Sequence, residues 1–249
     1  MIRHLTWLGA LVILTLTLAA CNPFADDADD WPHAETVVPP ADARGDFPVI
    51  VIIGDSIAAG WGDCATETCA GIARHWWQDA IGAQGYVFNR GIGDSTTGDI
   101  LEHWTRDTAE ADILFIMSGV NDLARGAPPE RILTNFETIR ARALDAGMVP
   151  VFSTIMPAET TQGAALSAMR AINTELRGLS AAGWWVIDLS AHMQDPANPG
   201  YLAPDWLAAP GSAHPSPAGY ARMTDFLRAW WAENEADLIA AWRGQSSAP

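Results

Sequence analysis

Five short apolar runs alternate with longer stretches of helical periodicity from Phe47 onward, and that alternation excludes most architectures. The runs lie at 48–53, 86–89, 112–117, 148–155 and 184–188, and the amphipathic stretches at 70–82, 97–108, 129–146, 161–180 and 217–243. Runs of Val, Ile, Leu and Phe without polar alternation are how strands buried on both faces read. Strands and helices in alternation require right-handed crossovers and a parallel sheet covered on both sides. The expectation is an α/β domain of three layers, α/β/α, built on a five-stranded parallel sheet over 47–243, with a C-terminal tail at 244–249. The last helix is expected to start with Ser216 as N-cap and Pro217 in the first helical position. Its Tyr220, Phe226, Leu227, Trp230 and Trp231 are spaced to dock on the sheet.

The first run, Val49-Ile50-Val51-Ile52-Ile53, ends in Gly54-Asp55-Ser56. A serine at that handover sits at the carboxyl edge of the sheet, where open α/β folds place their sites. Taken alone, Asp55 or Ser56 reads equally well as a helix cap. Three more stretches reach the same edge. Asn89-Arg90-Gly91-Ile92-Gly93-Asp94-Ser95-Thr96-Thr97 follows the second run, Ser118-Gly119-Val120-Asn121-Asp122 follows the third, and His214 precedes the last helix. Acyl transfer uses these residue types. A serine hydroxyl becomes nucleophilic when a histidine takes its proton. The tetrahedral oxyanion needs fixed donors, and losing one typically costs on the order of 100- to 1000-fold in rate.

Gly54-Asp55-Ser56, the Gly-rich turn at Gly91–Asp94, Gly119-Val120-Asn121-Asp122 and His214-Pro215 together resemble, in order, the four blocks of the SGNH (GDSL-type) hydrolases. The resemblance covers essentially all of 47–243 and implies a flavodoxin-like domain with Ser56 as nucleophile and His214 as base. It also implies an oxyanion hole made by the Ser56 N–H, an N–H of the second block and Asn121. The G-x-S-x-G elbow of the α/β-hydrolases does not occur around Ser56. Two departures stand out. The second block lacks one of the family's usual glycines, so either Gly93 or Asp94 aligns with the oxyanion donor. Gly93 is the choice here, because a glycine lets the backbone approach the substrate. The family's Asp three residues before the histidine is replaced by Gly211. Either a Ser–His dyad operates or another acid substitutes, with Asp205 the nearest candidate and Asp188 and Asp195 behind it.

The other polar and aromatic residues draw plainer readings. Asp55 and Asp122 are expected to hold turns and cap helices. His75, His103 and His192 are read as surface or packing residues, and Trp76, Trp77, Trp184 and Trp185 as core. Trp61, just past Ser56, is placed either in the core or along an acyl or sugar pocket.

The N-terminus reads differently from the rest. Arg3 and His4 precede an apolar run from Leu5 to Ala20, the length of a signal-peptide core and short for a membrane span. Leu18-Ala19-Ala20-Cys21 resembles the lipobox of bacterial lipoproteins, which implies a signal peptide at 1–20 and lipidation of Cys21; an ordinary cleaved signal or an uncleaved anchor are the alternatives. Asn22 after the cysteine implies the periplasmic face of an outer membrane if the source is Gram-negative. Residues 21–46 are acidic and Pro-rich without periodicity, as in an exposed tether. Cys64 and Cys69 then remain as an even pair that can close a small disulfide in an oxidising compartment, worth roughly 2 kcal/mol by chain entropy. A formal charge of −16 with no lysine argues against nucleic-acid binding. No histidine has zinc-site spacing, so neither metal nor cofactor is expected, and the protein is expected to be a monomer.

The functional expectation is an exported, lipid-anchored serine ester hydrolase. Its substrates would be lipid-like acyl esters and thioesters, or O-acetyl groups on glycans. The alternative, favoured by Gly211, is a non-catalytic surface lipoprotein that binds an acylated or glycan ligand in an inherited cleft. A nucleotide-binding flavodoxin-like protein is a weaker rival, because His214 and Asn121 would then have no reason to meet Ser56.

Overall fold

The computed structural model describes residues 47–246 apart from 63–72, 74, 83–84 and 159–160. The signal-peptide and tether segments, Cys21 and the Cys64/Cys69 pair lie outside the described residues. The strands are β1 (Val49–Gly54), β2 (Tyr86–Asn89), β3 (Ile113–Met117), β4 (Val149–Ser153) and β5 (Trp185–Ile187), all parallel, in the order β2-β1-β3-β4-β5. Every residue of β1, β3 and β4 is buried, which is why these runs carry no polar alternation. The helices are α1 (Trp76–Ile81), α2 (Thr97–Glu102), α3 (Trp104–Asp107), α4 (Val120–Ala124), α5 (Pro129–Asp145), α6 (Ala164–Ser180), α7 (Leu189–Met193) and α8 (Pro217–Ser246).

Neighbouring residues of a strand point to opposite faces, and the aromatic contacts sort the helices accordingly. On one face Phe115 of β3 meets Trp77 of α1 and Trp231 of α8, with ring centroids 5.5 and 6.2 Å apart. On the other, Phe152 of β4, in register with Ile116, meets Phe136 of α5 at 5.6 Å. There α5 packs against both α2 and α6. The result is the expected three-layer α/β/α fold with a five-stranded parallel sheet. Ser216 Oγ accepts the Gly219 N–H at 3.2 Å, so α8 starts at the expected cap.

Three differences from the sequence reading are local. The single helix expected over 97–108 is broken at His103 into α2 and α3. The five-residue helices α4 and α7, too short to show a period, were not anticipated. Nor was a small antiparallel hairpin, β6 (Gln194–Asp195) with β7 (Asn198–Leu202), between α7 and the His214 segment. Among the described residues no helix is long and apolar enough to cross a membrane.

Candidate active site

In a sheet of this order the chain leaves β1 towards one edge and returns at β3 towards the other, and ligands bind beyond the strand ends at that switch point. Ser56 lies two residues past β1 and Gly119 two residues past β3, with Gly54 and Met117 in register. The handover at Gly54 tolerates no side chain: a Cβ there would lie 2.0 Å from the Met117 carbonyl oxygen.

The turn over residues 55–61 is clamped by side chains from four parts of the chain. Asp55 Oδ1 accepts the Ile57 N–H at 2.9 Å. The Ala58 carbonyl accepts three bonds, from Trp76 Nε1 at 3.2 Å, Trp77 Nε1 at 3.0 Å and Asn89 Nδ2 at 2.8 Å. The Tyr220 hydroxyl donates to the Ile57 carbonyl at 3.2 Å and to the Trp61 carbonyl at 2.8 Å. Burial pushes the Tyr220 phenol further above its ordinary range, with the nearby Asp55 adding to it. A turn whose carbonyls are held this way has little freedom to reorient the side chain it presents.

Opposite the turn, His214 is carried by a segment pinned to the stretch before it. The Ala208 N–H donates to the His214 carbonyl at 3.0 Å, the His214 N–H donates to Ser212 Oγ at 3.0 Å, and Leu207 bridges Pro215. This brings His214 Nε2 to 2.7 Å from Ser56 Oγ, across 158 residues of sequence. Ser56 is buried and His214 is half-buried.

The Gly-rich turn is tied to the same edge by the Ile92 N–H, which donates to the Gly54 carbonyl at 2.9 Å. Gly93 lies flat under Trp61, since a Cβ at Gly93 would come within 2.3 Å of the indole Cη2. Asp94 is exposed and left-handed, with φ of 61°. Among the described residues neither N–H donates a hydrogen bond, and the Ser56 N–H donates none either. Asn121, in the first turn of α4, gives one amide hydrogen to the Ser95 carbonyl at 3.0 Å, which orients the amide and leaves its second hydrogen to a ligand. Asp122 turns away from the site. Its two oxygens take the Thr97 N–H at 2.9 Å and the Thr97 hydroxyl at 2.7 Å, which fixes the start of α2.

Of the candidate acids, none is hydrogen-bonded to His214 among the described residues. Asp205 lies in a short 3₁₀ turn, Pro204–Trp206, with an exposed side chain, and its main-chain carbonyl faces Ser216 Oγ at 3.4 Å. Asp188 is engaged by Arg177, Thr154 and the Ala191 N–H, bonds that together hold its carboxyl below the usual range against the opposing effect of burial. Asp195 Oδ1 accepts the Ala197 N–H. Gly211, at the position of the family's Asp, is exposed and left-handed, with φ of 82°. Among the described residues no three His, Cys, Asp or Glu side chains cluster as metal ligands.

Trp76, Trp77, Asn89 and Tyr220 hold the turn that carries Ser56, a role the sequence reading does not assign them. The two tryptophans were read as core, which they are, but their indole N–H groups were not counted. The signal for Asn89 was present, since an amide heads the Gly-rich turn. Its Oδ1 accepts the Gly91 N–H at 3.1 Å while its Nδ2 reaches Ala58.

A family model described as "GDSL-like Lipase/Acylhydrolase family" matches residues 52–222, a span that runs from β1 through Ser56, Asn121 and His214 into α8. The chain belongs to that family. As a GDSL-like protein it is a carboxylic ester hydrolase by family, and solved structures share its fold. A GDSL-like lipase from Bacteroides thetaiotaomicron superposes with a TM-score of 0.65 at 15% identity, over 83% of this chain and 98% of that one. The lipase/acylhydrolase of Enterococcus faecalis gives 0.60 at 22% identity over 76% and 97%. An acetylxylan esterase from Geobacillus stearothermophilus gives 0.57 at 20% identity over 75% and 93%. No curated protein matches the chain.

Proposed function

We propose that this GDSL-like hydrolase works through an acyl-enzyme, with Ser56 as nucleophile and His214 as general base. The observation that carries the reading is the 2.7 Å contact between His214 Nε2 and Ser56 Oγ, within the range a proton transfer needs. Ser56 Oγ attacks the ester carbonyl as its proton passes to Nε2. The Ser56 N–H, the Gly93 N–H and Asn121 Nδ2 receive the oxyanion. The imidazolium returns the proton to the leaving alkoxide. Water, deprotonated by His214, then attacks the acyl carbon; the acyl–Oγ bond breaks, the imidazolium returns the proton to Ser56 Oγ, and the acid is released. The test is hydrolysis of short-chain nitrophenyl esters and labelling by a fluorophosphonate. Ser56→Ala is expected to lose both, and equal hydrolysis by the two proteins would remove Ser56 from the mechanism. A wild type that neither hydrolyses nor labels would return the non-catalytic binding alternative.

The substrate class follows from Trp61. Its indole lies on Gly93, and its ring centroid is 6.4 Å from that of His214, so it walls the space between donor and base. A wall there leaves room for a small acyl group, which favours acetyl and similar short esters, on sugars or small alcohols, over long acyl chains. The comparison is acetyl against octanoyl ester rates. The wild type should prefer acetyl, and Trp61→Ala should narrow the ratio by raising the octanoyl rate.

The lipobox-like Leu18-Ala19-Ala20-Cys21 supports a further part of the proposal, an exported enzyme anchored by lipid on Cys21. Radiolabelled palmitate incorporation that disappears in Cys21→Ala supports it, and unchanged incorporation sinks it.

A further inference from the structure

Behind the turn that presents Ser56, between β3 and β4, lies a small cavity of about 10 Å³, bounded by Asp55, Met117, Ser118, Ser153, Thr154 and Met156 among others. That is the space one water molecule occupies, provided the lining offers it polar partners. Two of the three hydroxyls on the wall are already used. Ser153 Oγ donates to the Thr154 carbonyl at 3.0 Å, and Thr154 Oγ1 donates to Asp188 at 3.0 Å. The third, Ser118 Oγ, is buried without a hydrogen-bond partner among the described residues, and a buried polar group in that condition calls for an explanation. Asp55, 2% exposed, lines the same cavity. It accepts the Ile57 N–H at 2.9 Å, fewer bonds than its two oxygens can take.

We propose that this cavity binds one water molecule, bridging the Asp55 carboxylate and the Ser118 hydroxyl, and that Asp55 is a positioning residue whose ionised form tightens the turn presenting Ser56. The water donates to the carboxylate and accepts from Ser118, satisfying the orphaned hydroxyl and the spare acceptor together. An ionised carboxylate holds the Ile57 N–H by a charge-assisted bond, and a protonated one holds it less strongly. Burial, and after it the like charge of Asp122, push the Asp55 carboxyl up from 3.8 to about 7, so both forms are populated near neutrality. The ionisable groups that bear on Asp55 are Asp122 of α4 and Tyr220 of α8, while β3 and β4 present only neutral side chains to the cavity.

The effect on catalysis rests on Ser56 being the nucleophile; the water and the grip on the turn do not. The first measurement is a high-resolution crystal structure of the wild type at pH 8, expected to show one water between Asp55 and Ser118; a dry cavity overturns the water site. The second is amide hydrogen exchange of Ile57 from pH 5.5 to 8.5, corrected for intrinsic rates and read relative to the amides of β1, which follow the stability of the whole fold. Protection should rise with pH in the wild type and stay flat in Asp55→Asn, whose amide keeps the acceptor and carries no charge. Protection in the wild type that does not change with pH overturns the positioning role, whether or not the variant folds. The third is the pH profile of kcat/KM. Asp55→Asn should match the wild type within about twofold at pH 5.5 and fall about tenfold below it at pH 8.5, with KM unchanged, as expected when charge-assisted bonds become neutral ones. Superimposable profiles in an enzyme that labels at Ser56 overturn the positioning role alone. A wild type that neither labels nor hydrolyses overturns the nucleophile, and the exchange data then decide the grip of Asp55 on the turn.

Discussion

Asn121 and Asp122 are adjacent, yet they serve different parts of the molecule. One amide hydrogen of Asn121 is spent on the Ser95 carbonyl, and in the proposed mechanism the other meets the oxyanion. Asn121→Ala is therefore expected to lower kcat by roughly 100- to 1000-fold with little change in KM, which steady-state kinetics on an acetyl ester will read. Asp55 gives a second prediction, on stability. Its folded-state carboxyl, at about 7, lies above its unfolded value of 3.8. The folded state thus holds the proton more tightly, and the stability this gives is complete below pH 4 and lost as pH rises through 7. The swing is on the order of 4 kcal/mol. Asp55→Asn should abolish this slope in urea denaturation across pH 4–8, leaving a variant more stable than wild type at pH 8 and less active there. At this scale the sequence is informative about side chains recognised by type: it singles out Ser56, His214 and Asn121 as candidates, and the structure brings the first two to 2.7 Å. The sequence is silent about the Ala58 carbonyl, because every residue has one, and only the fold decides which carbonyl collects three donors.

Elements with a period were legible and elements without one were not. The strands at 49–54, 86–89 and 113–117 and the helices α5 and α6 fall within a few residues of where the apolar pattern puts them. The break between α2 and α3 has no proline or glycine to announce it. The His103 N–H caps the Asp99 carbonyl, and Trp104 begins a new short turn. The start of α2 is fixed more firmly. Thr96 and Asp99 form a reciprocal capping box, and Asp122 reaches across from α4 to hold Thr97. Asp122→Ala leaves the fully buried Thr97 N–H and hydroxyl without that partner. The expected cost is about 2–3 kcal/mol, read as a lower urea midpoint with an unchanged m-value, while Asp122→Asn, which keeps one acceptor, should cost less.

Across the whole molecule the site is a meeting of distant segments. The three-layer architecture was readable because a parallel sheet forces its strands to be apolar on both faces. What stands behind His214 was not, since Gly211 takes the place where the family pattern supplies a carboxylate. The longest-range tie is Tyr220, whose hydroxyl reaches Ile57 across 163 residues and Trp61 across 159. Tyr220→Phe leaves both carbonyls without this donor and should cost about 1–3 kcal/mol. It should also slow fluorophosphonate labelling of Ser56, which a loss of stability alone would not do in a protein still fully folded. The clamp has a further consequence in time. During synthesis the segment bearing Ser56 emerges early, but the hydroxyl that closes its turn and the imidazole that contacts it belong to the last sixth of the chain. No shorter nascent fragment carries both, so the proposed Ser56–His214 pair can form only after nearly the whole domain has been made and α8 has docked.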